Sequence, residues 1–322
     1  ELNNSAATLI DFKLFKDIDK ATELLIDALN AQSRILIVGD FDADGATSTA
    51  TLMQGLAMFG FNNLDYLVPD RFSLGYGLSP ALAEQIVDIK PELVITVDNG
   101  ISCIAGIDIL KKVGIKVLVT DHHLQGEQLP NADAIVNPNR HDCRFPSKSI
   151  AGVGVAFYLL IALRSTLREQ GYFERHAMPN LADLLDIVAL GTVADVVALD
   201  ANNRTLVHQG LARIRSGKTR PGITALIEVA NRNAARLSAS DFGFSLAPRL
   251  NAAGRLDDMS LGIACLLSTD INQARRIASE LDSLNHARRE IEQGMQAEAQ
   301  AVLDRLAFSN DNIPDAICLY QE

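Results

Sequence analysis

The sequence predicts an α/β fold: a doubly wound parallel sheet joined to a helical basic subregion and a long connector helix. Three observations carry that expectation. β-branched runs alternate with helical stretches through the first 150 residues. The runs are apolar at consecutive positions, as strands covered on both faces are. After residue 268 comes a stretch of nearly 40 residues with no proline and one glycine, Gly294.

In chain order the predicted strands are "RILIVGD" (34–40), "LDYLVP" (64–69), "ELVITVD" (92–98), "KVLVTD" (116–121) and "DAIVNP" (133–138). "TSTATLMQGLAMFG", "SPALAEQIVDIK" and "SCIAGIDILKKVG" read as the helices between them. Sheets of this kind place their sites just beyond the carboxyl ends of the strands. Polar residues gather there: Asp40 closes the first run, Asp98 the third, and "DHH" (121–123) the fourth. From about 150 to 200 the pattern is helical, including "LADLLDIVALGTVADVVAL", and 201–268 reads as a smaller, basic, mostly helical region. The expected division is therefore 1–268, with its sheet over about 34–150 and its helical part over 151–268, then a connector helix over 269–308. Thr269 or Asp270 can cap that helix. Its apolar stripe, Ile277, Leu281, Leu284, Ile291, Met295 and Val302, is expected to be partly uncovered. "NIPDAICLYQE" reads as the opening strand of a further domain over 309–322.

With 322 residues, 48% of them apolar, the chain can bury a sizeable core. No apolar run approaches the roughly 20 residues of a membrane span, so no membrane partner is expected. The N-terminus lacks a basic region followed by an apolar stretch, so no secretory signal is read there. Cys103, Cys143, Cys265 and Cys318 are far apart and match no zinc spacing. Buried thiols of a reducing compartment, and hence a cytoplasmic location, are expected. The net charge of −11 argues against a nucleic-acid partner, but its distribution is uneven. Between Arg204 and Arg255 nine basic residues stand against Glu228 and Asp241, so this segment is +7 and the rest −18. The segment is either a solvated helical surface or an anion-binding face beside an acidic body.

"GDFDADGATSTA" (39–50) puts Asp40, Asp42 and Asp44 within five positions. Asp42 and Asp44, in a loop after a strand, can aim carboxylates at one point, with Gly45 allowing a tight turn. Asp98 in "VDNG", His122 and His123 in "TDHH", and Asp195 in "GTVADVV" complete a set made only of Asp and His. Carboxylate and imidazole without thiolate suit Mn²⁺ or Mg²⁺, with Zn²⁺ or Co²⁺ also compatible, and so many ligands suit a pair of ions. Each residue has a plainer reading. Asp40 or Asp42 can be a helix N-cap, Asp98 ordinary turn chemistry, Asp195 a helix end, and adjacent histidines can point apart.

"GDFDADGATSTA", "VDNGIS", "TDHH" and "GTVADVVAL" resemble, in order, the four signature motifs of the DHH phosphoesterase superfamily. "RFSLGYGLS" and "FSLAPRLNAAGRLDD" (244–258) resemble its bacterial branch that degrades single-stranded DNA from the 5′ end. The resemblance runs from about residue 34 to 322. It implies Asp42, Asp44, Asp98, His122 and Asp195 as metal-binding catalytic residues, His123 as the second histidine, and Asp40 as a further member. It implies Arg71, Arg249, Asn251 and Arg255 near substrate phosphates; the plainer readings are that Arg71 caps a helix and Arg249 pairs with Asp257. It also implies single-stranded DNA as substrate in repair and recombination, with a single-strand-binding protein and a helicase as partners. Such proteins continue into a DHH-associated domain and an OB-fold domain, so this chain is expected to be the DHH part plus its connector helix.

Three functions compete. A metal-dependent 5′→3′ exonuclease on single-stranded DNA is favoured by the basic segment and the long helix, which a small substrate needs less. A phosphodiesterase for small nucleotides or oligoribonucleotides is the alternative. A non-catalytic scaffold is opposed by the intact ligand at every motif.

Overall fold

The structure, a computed structural model, describes residues 5–72, 74–305 and Cys318. Its first half runs α1 (Ile18–Ala31), β1 (Ile35–Val38), α2 (Ala43–Met58), β2 (Leu64–Leu67), α3 (Pro80–Ile89), β3 (Leu93–Val97), α4 (Ile104–Lys112), β4 (Lys116–Thr120) and β5 (Ala134–Val136). Helices follow: α5 (Gly152–Glu169), α6 (Leu185–Ala194), α7 (Ala201–Arg215), α8 (Pro221–Val229), α9 (Ala239–Asp241), a π turn (Phe242–Leu246), α10 (Ala247–Leu256), α11 (Ser260–Leu267) and α12 (Ile271–Arg305).

All five predicted strands form one parallel sheet in the order β2-β1-β3-β4-β5. Strand alternation divides their side chains between two layers. Ile35, Ile37, Ile95 and Val97 bury against Leu25 and Leu29 of α1, Leu52 and Leu56 of α2, and α5. Leu36, Val38, Val94, Val117 and Val119 bury against Leu82 and Ile86 of α3 and Ile107 and Leu110 of α4. Burying one such side chain is worth roughly 1.5–3 kcal/mol, so this covering dominates the sheet's stability. The strand order reverses direction between β1 and β3, which opens a crevice at their carboxyl ends. Asn99 spans that crevice, its Nδ2 donating to the Val38 carbonyl at 3.2 Å and the Val97 carbonyl at 2.8 Å.

A separate apolar core joins α2 to the helical half, with Ala43, Ala46 and Ala50 meeting residues of α6, α8, α10 and α12. Asp270, not Thr269, caps α12, its carboxylate accepting from the Gln273 N–H at 2.7 Å. Ile277 and Leu281 of the predicted stripe are buried and Leu284 packs against them, whereas Ile291, Met295 and Val302 are exposed. The strand expected within 309–322 lies outside the described residues, Cys318 apart. Among the described residues no helix is long and apolar enough to cross a membrane. All four cysteines are free, but only Cys143 and Cys265 are buried; Cys103 is half-buried and Cys318 exposed.

The basic segment owes its charge to what is near in sequence, and the fold brings acids to four of its arginines, three of those acids from outside it. Arg220 is engaged by buried Asp186, Arg213 by Asp183, Arg249 by Asp282 and Arg232 by Asp241. Arg215 donates to the Leu237 carbonyl. Arg213, Arg220 and Arg249 are therefore internal bracing, whereas Arg204, Arg215, Lys218, Arg232, Arg236 and Arg255 are exposed. Asp186 accepts from Thr219 Oγ1 at 2.8 Å and from the Arg220 backbone N–H, Nε and Nη2 at 3.1, 3.0 and 2.6 Å. Removing it leaves a guanidinium desolvated and unpaired. Asp186→Ala is expected to lower unfolding stability in urea by about 3–5 kcal/mol. A loss below about 1 kcal/mol, the value of an exposed pair, contradicts this placement.

Candidate metal centre

The "FDADG" turn leaves β1 and enters α2. Asp42 is the N-cap of α2, its Oδ1 accepting from the Gly45 N–H at 2.9 Å. Gly45 is helical, and its need is space: a Cβ there would collide with the Asp40 backbone. Asp44, one residue into α2, is fully buried. Its two oxygens accept from the Gly152 and Val153 N–H groups at 2.6 and 3.0 Å, so it sits on the N-terminus of α5. Asp98 follows β3 with φ 61, a left-handed backbone seldom adopted outside glycine and concentrated at functional sites.

His122 Nε2 lies 3.0 Å from Asp98 Oδ1, 3.6 Å from Asp195 Oδ2 and 3.9 Å from Asp44 Oδ2. The Ile150 backbone hydrogen-bonds its ring. His123 Nδ1 is held by Asp121 Oδ1 at 2.8 Å, which leaves Nε2 available. Asp195 stands at the C-cap of α6 with its backbone N–H on the Gly191 carbonyl and its carboxylate among the others. The ligand atoms of three sets lie within 4.8 Å of one another: Asp40, Asp42 and Asp98; Asp44, His122 and Asp195; and Asp98, His122 and His123. All seven predicted ligand residues thus converge.

Burial, then the charge of Asp42, pushes the carboxyls of Asp40 and Asp195 up to about 7. Burial and neighbouring carboxylates, Asp195 for Asp44 and Asp44 for Asp98, hold those two well above the ordinary range. Burial, then His123, lowers His122 to about 4, so its imidazole is neutral at neutral pH. The Asp121 hydrogen bond raises His123. Asp121 is itself lowered, hydrogen bonds from His123 and from backbone N–H groups outweighing its burial.

These residues fit a divalent cation. Asp40 Oδ1, Asp98 Oδ1, His122 Nε2 and Asp195 Oδ2 are buried and find no hydrogen-bond partner among the described residues. Four lone-pair atoms brought together without a donor are what a cation satisfies, and hard oxygen ligands with one or two imidazoles select Mn²⁺ or Mg²⁺.

The predicted phosphate contacts are more scattered. Arg71 lies over the Phe41 ring, 4.6 Å from its centroid, and so beside the Asp40–Asp44 turn. It lines a cavity of about 400 Å³ with Phe72, Asp257 and Asp258. Arg255 is exposed at the last turn of α10. Arg249 is buried and faces away: Nη2 meets Asp282 at 2.8 Å and Nη1 the Ser245 carbonyl at 2.5 Å, with no bond to Asp257. Asn251 Oδ1 accepts from the Ala43 N–H at 2.8 Å and so is engaged by the turn itself. Sequence reasoning missed Asp121, which holds His123, although it adjoins both histidines. It also missed Tyr76, whose hydroxyl donates to the Asp98 carbonyl at 3.2 Å, and the Gly152–Val153 amides. The glycine-rich "AGVGVAF" opening of a helix was the signal for those amides.

Similarity to known proteins agrees with this geometry. The "DHH family, N-terminal domain" matches residues 34–192, ending three residues before Asp195. The single-stranded-DNA-specific exonuclease RecJ of Escherichia coli (strain K12) is 57% identical over 322 residues, 99% of this chain and 56% of that protein. The protein of the same name from Bacillus subtilis (strain 168) is 35% identical over 94% of this chain and 37% of its own length. A crystal structure of exonuclease RecJ bound to manganese superposes with a TM-score of 0.79 at 35% identity, covering 88% of this chain and 69% of that one. The chain belongs to the RecJ family of DHH proteins. It spans about half the length of the curated RecJ relatives it matches. A RecJ from Thermus thermophilus in complex with Mn²⁺ superposes with a TM-score of 0.75 at 33% identity, over 88% of this chain and 40% of that one.

A carboxyl whose folded pKa exceeds its unfolded value stabilises the fold while protonated. That contribution is lost as pH rises through the folded value, about 7 for Asp40 and Asp195. His122 acts in the opposite sense, but only between about 4 and its ordinary 6.5. Chelator-treated protein is therefore expected to lose thermal stability from about pH 6.5 to about pH 8, and Mn²⁺ to raise the melting temperature most at the upper end. A metal-free melting temperature that rises across that window contradicts the assignment.

Proposed function

We propose that this protein is a metal-dependent exonuclease that hydrolyses phosphodiester bonds of single-stranded DNA in the 5′→3′ sense, in repair and recombination. The single observation that carries the reading is the convergence of Asp40, Asp42, Asp44, Asp98, His122, His123 and Asp195 at the β1/β3 crevice. Asp44, His122 and Asp195 are one ligand set and Asp40, Asp42 and Asp98 another, and the third, Asp98, His122 and His123, shares a residue with each. Divalent ions held by these residues, Mn²⁺ or Mg²⁺, would acidify a water and neutralise charge on a phosphoryl oxygen. The relatives named RecJ include structures bound to manganese and magnesium, which supports the choice of ions.

The protein's own part is to hold that set still. Asp121 fixes the tautomer and orientation of His123, and the α5 amides fix Asp44. Arg71, beside the turn, offers a planar donor pair for a phosphate at the entrance. The bracing of Arg213, Arg220 and Arg249 weakens the sequence argument for a long basic DNA face. Single-stranded DNA is preferred over a small nucleotide because the relatives at 53–59% identity bear that substrate in their names. An enzyme that consumes single strands needs them exposed, so a helicase and a single-strand-binding protein are the partners proposed. Four free thiols accord with a cytoplasmic location.

Asp195→Asn is the cleanest test, because its carboxylate makes no hydrogen bond that the fold requires. Alanine at Asp44 would also strip the α5 amides of their acceptor. With a 5′-labelled single strand and Mn²⁺, Asp195→Asn in the full-length protein is expected to cut turnover by more than about 100-fold, the upper end for losing a ligand's mere orienting partner. Near-normal turnover sinks the metal assignment, and equal release from 3′-labelled and 5′-labelled strands sinks the polarity.

A further inference from the structure

α10 touches both the connector helix and the turn that opens α2. At one end Arg249 pairs with Asp282 of α12 at 2.8 Å, both side chains largely withdrawn from solvent. Two residues on, Asn251 Oδ1 accepts from the N–H of Ala43, the residue between Asp42 and Asp44, at 2.8 Å. One turn further, a Cβ on Gly254 would collide with the Phe41 carbonyl oxygen, so the helix backbone lies directly on the turn. The helix is stiffly held: Leu250 and Ala253 share one buried core with Ala43 and with Ala274, Ile277, Ala278 and Leu281 of α12. A π turn precedes it, a feature common beside functional sites, and Arg249 Nη1 bonds into that turn at Ser245.

The Ala43 N–H matters because of where it lies. It is one of the first-turn donors of α2 that the helix itself cannot satisfy. Asp42 is occupied with Gly45, so without Asn251 this donor has no side-chain acceptor in the structure. Its orientation sets the Asp42–Ala43 peptide, which adjoins Asp42 and lies one residue before Asp44. With its oxygen committed here, Asn251 keeps its Nδ2 for the phosphate role that the sequence resemblance implies.

We propose that Asn251 is a positioning residue for the Asp42–Asp44 turn, and that α10, through Arg249–Asp282, ties that turn to the connector helix α12. The inference rests on the metal reading above. It follows that a change at the root of α12 alters cation affinity some distance from any ligand, which links whatever α12 carries to the metal centre.

The test uses the full-length protein with Asn251→Ala, Asn251→Asp and Asp282→Asn, read by Mn²⁺ titration calorimetry, amide hydrogen exchange at Ala43 without metal, and steady-state kinetics on a single strand. Asn251→Ala is expected to weaken Mn²⁺ binding roughly tenfold, as loss of a ligand-orienting partner does, with kcat lowered and KM for DNA little changed. Exchange at Ala43 should quicken, and Asn251→Asp, which keeps the acceptor, should restore protection. Asp282→Asn should weaken Mn²⁺ binding less, and its loss should not add to that of Asn251→Ala, because both act through one element. Unchanged Mn²⁺ binding and unchanged Ala43 exchange with a raised KM make Asn251 a phosphate contact and overturn the proposal. If Asn251→Ala does not fold, Asp282→Asn decides: no quickening at Ala43 overturns the tie. Wild-type protein that binds no Mn²⁺ overturns the metal reading instead, while exchange at Ala43 still decides whether Asn251 holds the turn.

Discussion

Repulsion among five aspartates at the switch point of the sheet is the constraint around which this structure is arranged. Asp40, Asp42, Asp44, Asp98 and Asp195 share a pocket with two histidines. Two unit charges 4 Å apart cost on the order of 4 kcal/mol at an effective dielectric of 20, so a fully ionised cluster would strain the domain. The fold offers partial relief. The N-termini of α2 and α5 both point here, each worth roughly half a positive charge. Asp42 takes one backbone N–H and Asp44 two. That offsets about one charge, and four buried ligand atoms still lack any donor. Protons can fill the deficit, which is why burial and mutual repulsion drive the carboxyls of Asp40, Asp44, Asp98 and Asp195 upward, but divalent cations fill it better at neutral pH.

The elements around the pocket make sense as a frame for that deficit. β1 and β3 deliver aspartates from adjacent strand ends, where parallel pairing has already fixed their spacing. Asn99 closes the crevice beneath them, and Asp98 accepts a left-handed backbone to reach inward. β4 delivers both histidines, one turned toward the carboxylates and one braced by Asp121. α5, α6 and α10 come from the helical half and supply amides, Asp195 and Asn251. The site is thus shared between the two halves of the fold, and the buried core joining them is part of its rigidity.

The strands and the convergence of the candidate ligand residues were legible in the sequence because both obey local rules. Consecutive apolar residues mark strands covered on two faces, and aspartates or histidines closing such runs fall at one edge by construction. What escaped depends on residues far apart in the chain. Arg249 was expected near substrate phosphates, with Asp257 eight positions away as the plainer reading, and meets Asp282 on another helix. Asp183, Asp186 and Asp282 pair with three arginines of the +7 segment, which a running charge count cannot see. Asn251 carried no local mark of its bond to Ala43, 208 positions distant. Gly45 was correctly singled out for the wrong cause, since it serves close approach to Asp40 where a tight turn was expected. Asp42 is both an N-cap and a member of the cluster, so the plain reading of that residue does not remove it from the candidate site.

The most direct test of the central claim is anomalous diffraction from crystals of the protein soaked in Mn²⁺. The account predicts two peaks in the β1/β3 crevice, one bordered by Asp44, His122 and Asp195 and the other by Asp40, Asp42 and Asp98. A crevice without anomalous density at saturating Mn²⁺, or density confined to surface carboxylates elsewhere, would contradict it.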